Sequence, residues 1–213
     1  MPAIVRYDQQ HCPIARALDV LGDRWTLLIL RELVIGDRRF TDLRDHLPGI
    51  APTLLTQRLR SMAEQGLVAT KELPPPAARS VYVATARGRE AIPVLRALSR
   101  YGMPLLEAPT ADTSILPSMV ANAGLRAYFD AVAAADVDER YLVRIGDEEF
   151  LLSSVSGGGE PRPPDVTLDA SAATWMDVRQ GRTTLRRAIR DKRMVRTGPA
   201  AAMHHFAEIF QLA

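Results

Sequence analysis

The chain has 213 residues, enough for two small domains. Of these residues 47% are hydrophobic, 6% aromatic and 24% charged, a composition that excludes a collagen-like or disordered chain. It contains no run of about 18 apolar residues and no signal-peptide pattern at its N-terminus, so we expect a cytoplasmic protein without a transmembrane helix. The only cysteine, Cys12, excludes an internal disulfide framework and a cysteine-based zinc cluster. The formal net charge is +2, with the excess of Lys and Arg in the first half, where we expect the anion-binding surface.

The first half predicts four helices and a β-hairpin. Apolar residues recur at helical spacing from Ile14, and Asp23 is placed to cap a second helix that buries Trp25. A third helix, TDLRDHL, opens at Thr41 and is stopped by a Pro-Gly pair. A fourth begins at Pro52, and Gly66 is its natural C-terminal residue.

The fourth helix has one apolar and one polar side. Leu55, Leu59 and Met62 form the apolar stripe. The remaining surface is polar and basic, which suits contact with a base edge or a phosphate. A helix of this kind is also common in helical bundles, where its polar face simply contacts water.

Residues 67–85 alternate apolar and polar side chains and predict a β-hairpin with a proline-rich tip. Residues 86–107 predict one long helix with more apolar surface than a small domain needs, which indicates a dimer interface. Residues 109–117 mix prolines with small and polar residues and predict a linker between a domain at 1–108 and a second domain at 118–213.

The second domain predicts a smaller α+β fold with an antiparallel sheet. In chain order we expect a helix at 119–134, strands at RYLVRI, EEFLLSSV and DVTLDAS, helices at ATWMDVRQG and TTLRRAIRD, a short strand at MVRTG and a closing helix. The segment GGGEPRPP predicts a mobile loop. Arg182, Arg186 and Arg190 recur every four residues and are expected on one helix face, in contact with solvent, DNA or an anionic ligand. The adjacent His204 and His205 point in different directions on a helix and do not form a metal site.

Three segments in the first half resemble one family of bacterial regulators. They are CPIARALDVLGDRWTLLILREL, RFTDLRDHLPGIAPTLLTQRLRSMAEQGLV and a hairpin that ends in YVATARGRE. Over residues 11–107 they resemble the HxlR-type (MarR-like, DUF24) winged helix-turn-helix regulators. The resemblance implies a homodimeric repressor or activator with a recognition helix at 52–65 and a wing at 71–79. Ala51 departs from the serine that the family usually places before the helix proline, so one cap hydroxyl is missing.

The resemblance implies a palindromic double-stranded DNA operator as the partner, and no cofactor or metal. Arg58 and Arg60 are the strongest candidates for phosphate or guanine contacts, whereas Arg38 and Arg39 either clamp the backbone or contact only solvent. The full set of predicted DNA contacts is Arg38, Arg39, Thr41, Pro52, Thr53, Thr56, Gln57, Arg58, Arg60, Lys71, Arg79 and Ser80.

Cys12 has two interpretations. Some members of the family sense thiol-reactive compounds through a cysteine in a Cys-Pro pair that resembles Cys12-Pro13, so Cys12 is a candidate redox sensor. The alternative is a small buried hydrophobic residue at the dimer interface.

Residues 118–213 resemble the sterol carrier protein 2 (SCP2-like) fold, through PDVTLDASAATWMDVRQGRTTLRRAIRDKRMVRTG and the apolar final helix. The resemblance implies an apolar tunnel that holds a small hydrophobic effector. The candidate lining residues either face this tunnel or simply fill a core. They are Trp175, Met176, Ile189, Met203, Phe206, Ile209 and Phe210.

We therefore predict a sequence-specific DNA-binding regulator modulated by a hydrophobic ligand. The alternative is a lipid carrier or protein-interaction module whose winged helix does not bind DNA. An enzyme is the weakest interpretation, because no nucleophile, base and orienting carboxylate occur together at sensible spacing.

Overall fold

The computed structural model describes residues 11–74, 80–107, 115–155 and 162–212, and the chain divides into two compact units, 1–95 and 96–213. The elements of the N-terminal part are α1 (Pro13–Leu21), α2 (Arg24–Leu33), α3 (Phe40–His46), α4 (Pro52–Glu64), β1 (Val68–Glu72), β2 (Ser80–Ala84), α5 (Ala86–Arg89) and α6 (Ile92–Gly102).

Helices α2 and α4 form as the sequence predicts. The carboxylate of Asp23 accepts a hydrogen bond from the Trp25 backbone N–H at 2.9 Å and caps α2. Pro52 occupies the first turn of α4, and Leu55, Leu59 and Met62 are buried. Gly66 follows the C-cap residue Gln65 and terminates α4, with a φ of +72° in the left-handed region. Helix α3 starts one residue earlier than predicted, because the Asp42 carboxylate accepts from the Arg39 N–H at 2.9 Å.

The predicted hairpin is confirmed in its strands, since β1 and β2 pair antiparallel from Val68 opposite Ala84 to Glu72 opposite Ser80. Arg38 adds an isolated bridge to Tyr82, with backbone hydrogen bonds of 3.0 and 2.7 Å, so the turn before α3 is tied to the hairpin. The proline-rich tip falls on residues 75–79, outside the described residues.

The single long helix predicted at 86–107 is wrong, because the segment forms α5, α6 and a 3-10 turn at Met103–Leu105. Pro93 has no N–H to donate to the carbonyl of Arg89, which interrupts the helix between α5 and α6. The boundary between the two compact units lies within α6. The domain limits predicted at 108 and 118 stay a prediction, and most of the predicted linker is outside the described residues.

The C-terminal unit comprises residues 96–213. It contains α7 (Pro117–Met119), a π-helical turn at Val120–Leu125 and a 3-10 turn at Arg126–Tyr128. These are followed by β3 (Arg140–Ile145), β4 (Glu148–Ser153), β5 (Val166–Ala170), α8 (Ala172–Arg179), α9 (Leu185–Arg190), β6 (Met194–Thr197) and α10 (Ala200–Ile209).

The sheet has the strand order β4-β3-β5-β6 and is mixed, so the predicted antiparallel sheet is wrong. Strands β3 and β5 run parallel, from Tyr141 opposite Val166 to Ile145 opposite Ala170. The cause is that the chain returns to the end of the sheet where β3 begins. There Asp165 donates its N–H to the Arg140 carbonyl at 2.8 Å, and the Asp165 carboxylate accepts from the Arg140 N–H at 2.8 Å.

The helix predicted at 119–134 is also wrong, because the regular turns end at Tyr128. The Asn122 side chain donates to the Ser118 carbonyl at 2.5 Å, within a π-helical rather than α-helical turn. Beyond it, the Asp130 N–H donates to the Ile209 carbonyl at 2.7 Å, and the Asp130 carboxylate accepts from the next turn. Hydrogen bonds from Ala133, Gln211 and Val132 hold the pKa of Asp130 below its usual range.

Candidate nucleic-acid interface and ligand cleft

The polar side of α4 lies in solvent. Thr53, Thr56 and Gln57 are exposed, and the Arg60 side chain is 83% exposed. Among the described residues, Arg60 pairs only with Glu64 of the same helix, at 3.0 Å, and the Thr56 hydroxyl donates to the Pro52 carbonyl at 3.0 Å. These are weak local contacts that a phosphate or a base edge can replace.

Arg58 lies differently from Arg60. Its Nη2 contacts the Asp23 carboxylate at 2.6 Å, and the two side chains are only 34% and 32% exposed. The other oxygen of Asp23 caps α2. Asp23 therefore holds α4 against the start of α2 through Arg58. This pair was not predictable from the sequence, because its members are far apart in the chain.

The turn before α3 and the hairpin carry the other predicted contacts. Arg39, Thr41, Pro52 and Ser80 are exposed, Lys71 pairs with Asp37 at 3.2 Å, and Arg79 lies outside the described residues. Arg38 is half-buried, and its Nε is buried without a hydrogen-bond partner in the described part of the chain. Of the exposed members, Arg39, Thr41 and Ser80 have side-chain donors that an anion can reach, whereas Pro52 has none.

Glu32 is a buried acidic residue that was not among the predicted site residues. It is fully buried in α2, where its carboxylate accepts from Arg31 Nε at 2.8 Å and contacts His46 Nδ1 at 3.1 Å. Because His46 ends α3, this contact fixes α3 against α2, just before the turn that leads to α4. A glutamate between Ile29 and Leu33 on an apolar helix face was the available signal.

Cys12 is the residue immediately before α1, and it is half-buried. Its backbone carbonyl accepts the N–H of Arg16 at 3.1 Å, which starts the helix. No described residue provides a second thiol, so the redox interpretation stays a prediction.

Two stripes of apolar side chains are exposed on helices. Ile14 and Leu18 are one turn apart on α1, and Val94, Leu98 and Tyr101 follow one face of α6. Their exposed fractions range from 41% to 75%. Large apolar stripes in water favour association with another surface.

The aromatic residues predicted to line a tunnel fill the core of the C-terminal unit. Trp175, Phe206 and Phe210 are buried, and Phe206 lies 4.8 Å from Phe210 and 6.1 Å from Trp175 between ring centroids. Tyr141 packs edge-on against Phe206 at 5.1 Å. Met176, Ile189 and Met203 are half-buried at the edge of this core, and Ile209 is buried within it.

A surface cleft of about 420 Å³ opens between α9 and α10. Its apolar floor is Leu185, Met203, Ala207 and Leu212, and its polar rim is Thr184, Arg186, His204, Glu208 and Gln211. Met203 is the single residue that the cleft shares with the predicted lining.

Arg186 and Arg190 lie one turn apart on α9, but the helix does not extend to Arg182, so the prediction that all three share one helix face is wrong for Arg182. Arg182 precedes the helix and pairs with Asp177 at 2.8 Å, and Arg193 also contacts Asp177. Burial raises the pKa of Asp177, but the hydrogen bonds from Arg193 and Arg182 outweigh it and hold the pKa below its usual range. Arg187 and Arg190 pair with Asp191.

Among the described residues, no group of three or more His, Cys, Asp and Glu side chains is arranged to hold a metal ion. His204 contacts Glu208 at 3.4 Å, and His205 contacts Glu139 at 2.9 Å, so the two imidazoles point to different carboxylates. In the same described ranges, no helix has the length and apolarity needed to cross a bilayer.

Three helices, a short turn into an exposed polar helix and a two-stranded hairpin define a winged helix-turn-helix protein. Residues 20–109 match the HxlR-like helix-turn-helix family, and the chain belongs to that family. Residues 124–211 match the SCP-2 sterol transfer family, which confirms the second resemblance. The chain is therefore a transcriptional regulator with a helix-turn-helix DNA-binding domain and an SCP2-like C-terminal domain.

Relatives match the N-terminal half. An uncharacterised helix-turn-helix-type transcriptional regulator of Synechocystis is 41% identical over 105 residues, covering 49% of this chain and 78% of the relative. YvaP of Bacillus subtilis, with the same description, is 31% identical over 91 residues, covering 42% and 84%. The solved structure of PA1607, a candidate transcription factor, is 33% identical with a TM-score of 0.44, covering 53% of this chain and 78% of that one.

Proposed function

We propose that the protein is a homodimeric, sequence-specific DNA-binding regulator whose SCP2-like domain binds a small apolar effector. The observation that supports it most directly is the solvent-facing polar side of α4, which follows a short turn and precedes a hairpin. A helix of this kind, about 10–12 Å across, fits the major groove of B-DNA. Arg60, Gln57 and Thr53 are then the side chains available to bases and phosphates.

The hairpin supplies the second set of contacts in this proposal. Lys71, Arg79 and Ser80 flank the proline-rich tip and are proposed to contact the sugar-phosphate backbone beside the groove. Arg39 and Thr41 add contacts from the start of α3. Ala51 provides no side-chain hydroxyl to cap α4, which leaves more of the phosphate contact to Thr53 and to the wing.

The exposed apolar stripes of α1 and α6 support a dimer. In a twofold dimer the recognition helices contact half-sites about 34–36 Å apart, so the operator is expected to be palindromic. An effector can act only by binding one geometry of the dimer better than another. We propose that the two geometries differ in the distance between the two recognition helices, and therefore in their fit to the operator.

The oligomeric state is tested by sedimentation of two charged variants. We expect Ile14→Asp and Leu98→Asp to sediment as monomers, since a buried unpaired carboxylate opposes the interface. Val132→Asp is the matched control, because Val132 is an exposed valine outside both stripes. A wild-type protein that sediments as a monomer at micromolar concentration would contradict the dimer.

DNA binding is tested by footprinting on the DNA upstream of the protein's own operon, at low and moderate salt. Arg60→Gln is expected to weaken binding and lower the salt slope by about one, while Gln57→Ala is expected to relax the base preference. Arg144→Gln, at an exposed arginine of β3, is the control. No protected site, or an affinity that does not change with salt, would favour the carrier or protein-interaction alternative.

The redox interpretation of Cys12 is a separate proposal. Because the sequence contains no second cysteine, the proposed sensing uses a mixed disulfide, alkylation, or a bridge between the Cys12 residues of two chains. Treatment with diamide followed by non-reducing electrophoresis and footprinting tests it, with Cys12→Ser as the control. If the oxidised and reduced proteins protect the operator equally, Cys12 has a packing role.

A further inference from the structure

The cleft between α9 and α10 combines an apolar floor with one arginine, Arg186, that has no hydrogen-bond or ion-pair partner among the described residues. Leu185, Met203, Ala207 and Leu212 supply the floor. The volume of about 420 Å³ lies within the range of small-molecule sites, about 300–1,000 Å³. A ligand that fits here must bury a short apolar body against the floor.

The polar residues on the rim differ in whether they already have a hydrogen-bond or ion-pair partner within the protein. The Thr184 hydroxyl accepts the Arg187 N–H at 3.1 Å, and Gln211 Nε2 donates to Asp130 at 3.1 Å. Glu208, the one carboxylate of the rim, contacts His204 at 3.4 Å. These contacts give four of the five polar residues of the rim, Thr184, His204, Glu208 and Gln211, a partner inside the protein.

Arg186 is the exception. Within the described ranges its guanidinium makes no hydrogen bond or ion pair, although Arg182, Arg187, Arg190 and Arg193 on either side all pair with Asp177 or Asp191. The two carboxylates that serve the neighbours therefore leave Arg186 unpaired at the rim. Its planar fork of N–H donors is suited to bidentate contact with a carboxylate.

We infer that this cleft binds a small amphipathic carboxylate, with its apolar part on the floor and its carboxylate on the Arg186 guanidinium. The inference rests on the proposed effector binding and gives it a site and a ligand class. It differs from the predicted tunnel, because Trp175, Phe206 and Phe210 fill the core rather than line an opening.

The experiment is calorimetric titration of the full-length protein, without DNA, using decanoate and decanol as probes. Arg186→Gln keeps a polar side chain but removes the charge. Arg187→Gln is the matched control, since it removes a charge from the same helix at a residue that does not line the cleft. Ala207→Phe fills the floor and keeps the charge, and circular dichroism checks that each variant folds.

We expect wild-type protein to bind decanoate more tightly than decanol. Arg186→Gln should weaken decanoate binding about tenfold, the effect of one charge-assisted hydrogen bond, and leave decanol unchanged. Arg187→Gln should change neither, and Ala207→Phe should weaken both probes. The inference is overturned if decanoate does not bind at millimolar concentration, if Arg186→Gln binds decanoate like wild type, or if Arg187→Gln weakens it equally.

Footprinting with and without decanoate separates this inference from the proposed function. If decanoate binding depends on Arg186 but no DNA is protected, the carboxylate site in the cleft is supported and the proposed DNA-binding function is contradicted. If DNA is protected but decanoate binding does not depend on Arg186, the proposed DNA-binding function is supported and the carboxylate site in the cleft is overturned.

Discussion

The contact between Arg58 and Asp23 decides whether Arg58 reads DNA or positions the helix that does. Two substitutions test it, Arg58→Gln and Asp23→Ser. Serine keeps an oxygen that caps α2 but cannot pair with the guanidinium, so both variants remove the same ion pair. Asp23→Ala additionally removes the cap and should cost about 1 kcal/mol more.

The contribution of this ion pair to the free energy of unfolding follows from its geometry. The 2.6 Å contact is short and charge-assisted, but both side chains are about a third exposed, so solvent screening reduces its contribution. We expect each single variant to lower the free energy of unfolding by roughly 1 kcal/mol. The double variant should cost little more than either single one, because the shared interaction is lost only once.

The assay is equilibrium urea unfolding of the four proteins of the double-mutant cycle, followed by footprinting at several salt concentrations. If Arg58 positions α4, Asp23→Ser and Arg58→Gln weaken DNA binding to the same extent and leave the salt slope unchanged. Additive unfolding energies, or a slope lowered by about one in Arg58→Gln alone, would refute the positioning role.

Three further predictions concern stability. Gly66→Ala should cost about 1 kcal/mol of unfolding free energy in urea, because a φ of +72° is unfavourable for a residue with a Cβ. Burial lowers the pKa of Arg179 to about 10, yet its guanidinium donates to three backbone carbonyls, and Arg179→Met should cost roughly 2–4 kcal/mol by thermal unfolding, because the carbonyls lose their donors. The pKa of Asp177 is lower in the folded than in the unfolded protein, so its contribution is complete above pH about 4 and is lost as pH falls through the folded pKa. Asp177→Asn should remove that part of the acid sensitivity in unfolding measured across this range, and an unchanged pH profile would contradict it.

Local signals in the sequence were sufficient for much of the N-terminal fold. Pro52 and Gly66 mark the ends of α4, and the spacing of Leu55, Leu59 and Met62 gives its buried face. Caps and helical periodicity act within one or two turns, so they are present in the sequence of the helix itself. Pro93 was also a local signal, and giving it more weight would have predicted the break between α5 and α6.

Contacts between distant residues were not available in the same way. The sequence showed that Arg58 and Arg60 lie on the polar part of one helix, but not that Asp23 holds one of them while the other extends into solvent. Likewise, the sequence left both a core and a tunnel open for the apolar residues of the C-terminal domain. Packing of Phe206 against Trp175 and Phe210 placed all three in the core.

The sequence by itself determined the order of the elements from α1 to β2, the limits of α4, its polar side and the family, because these depend on short-range caps, periodicity and matched motifs. The tertiary structure alone decided the parallel pairing of β3 with β5, the partner of Arg58 and the residue that is left unpaired beside the cleft. The physical reason is that strand pairing and ion pairing depend on which distant segments meet in space. Side chains of the same type, such as Arg182 and Arg186, therefore differ in role according to whether a carboxylate lies within reach.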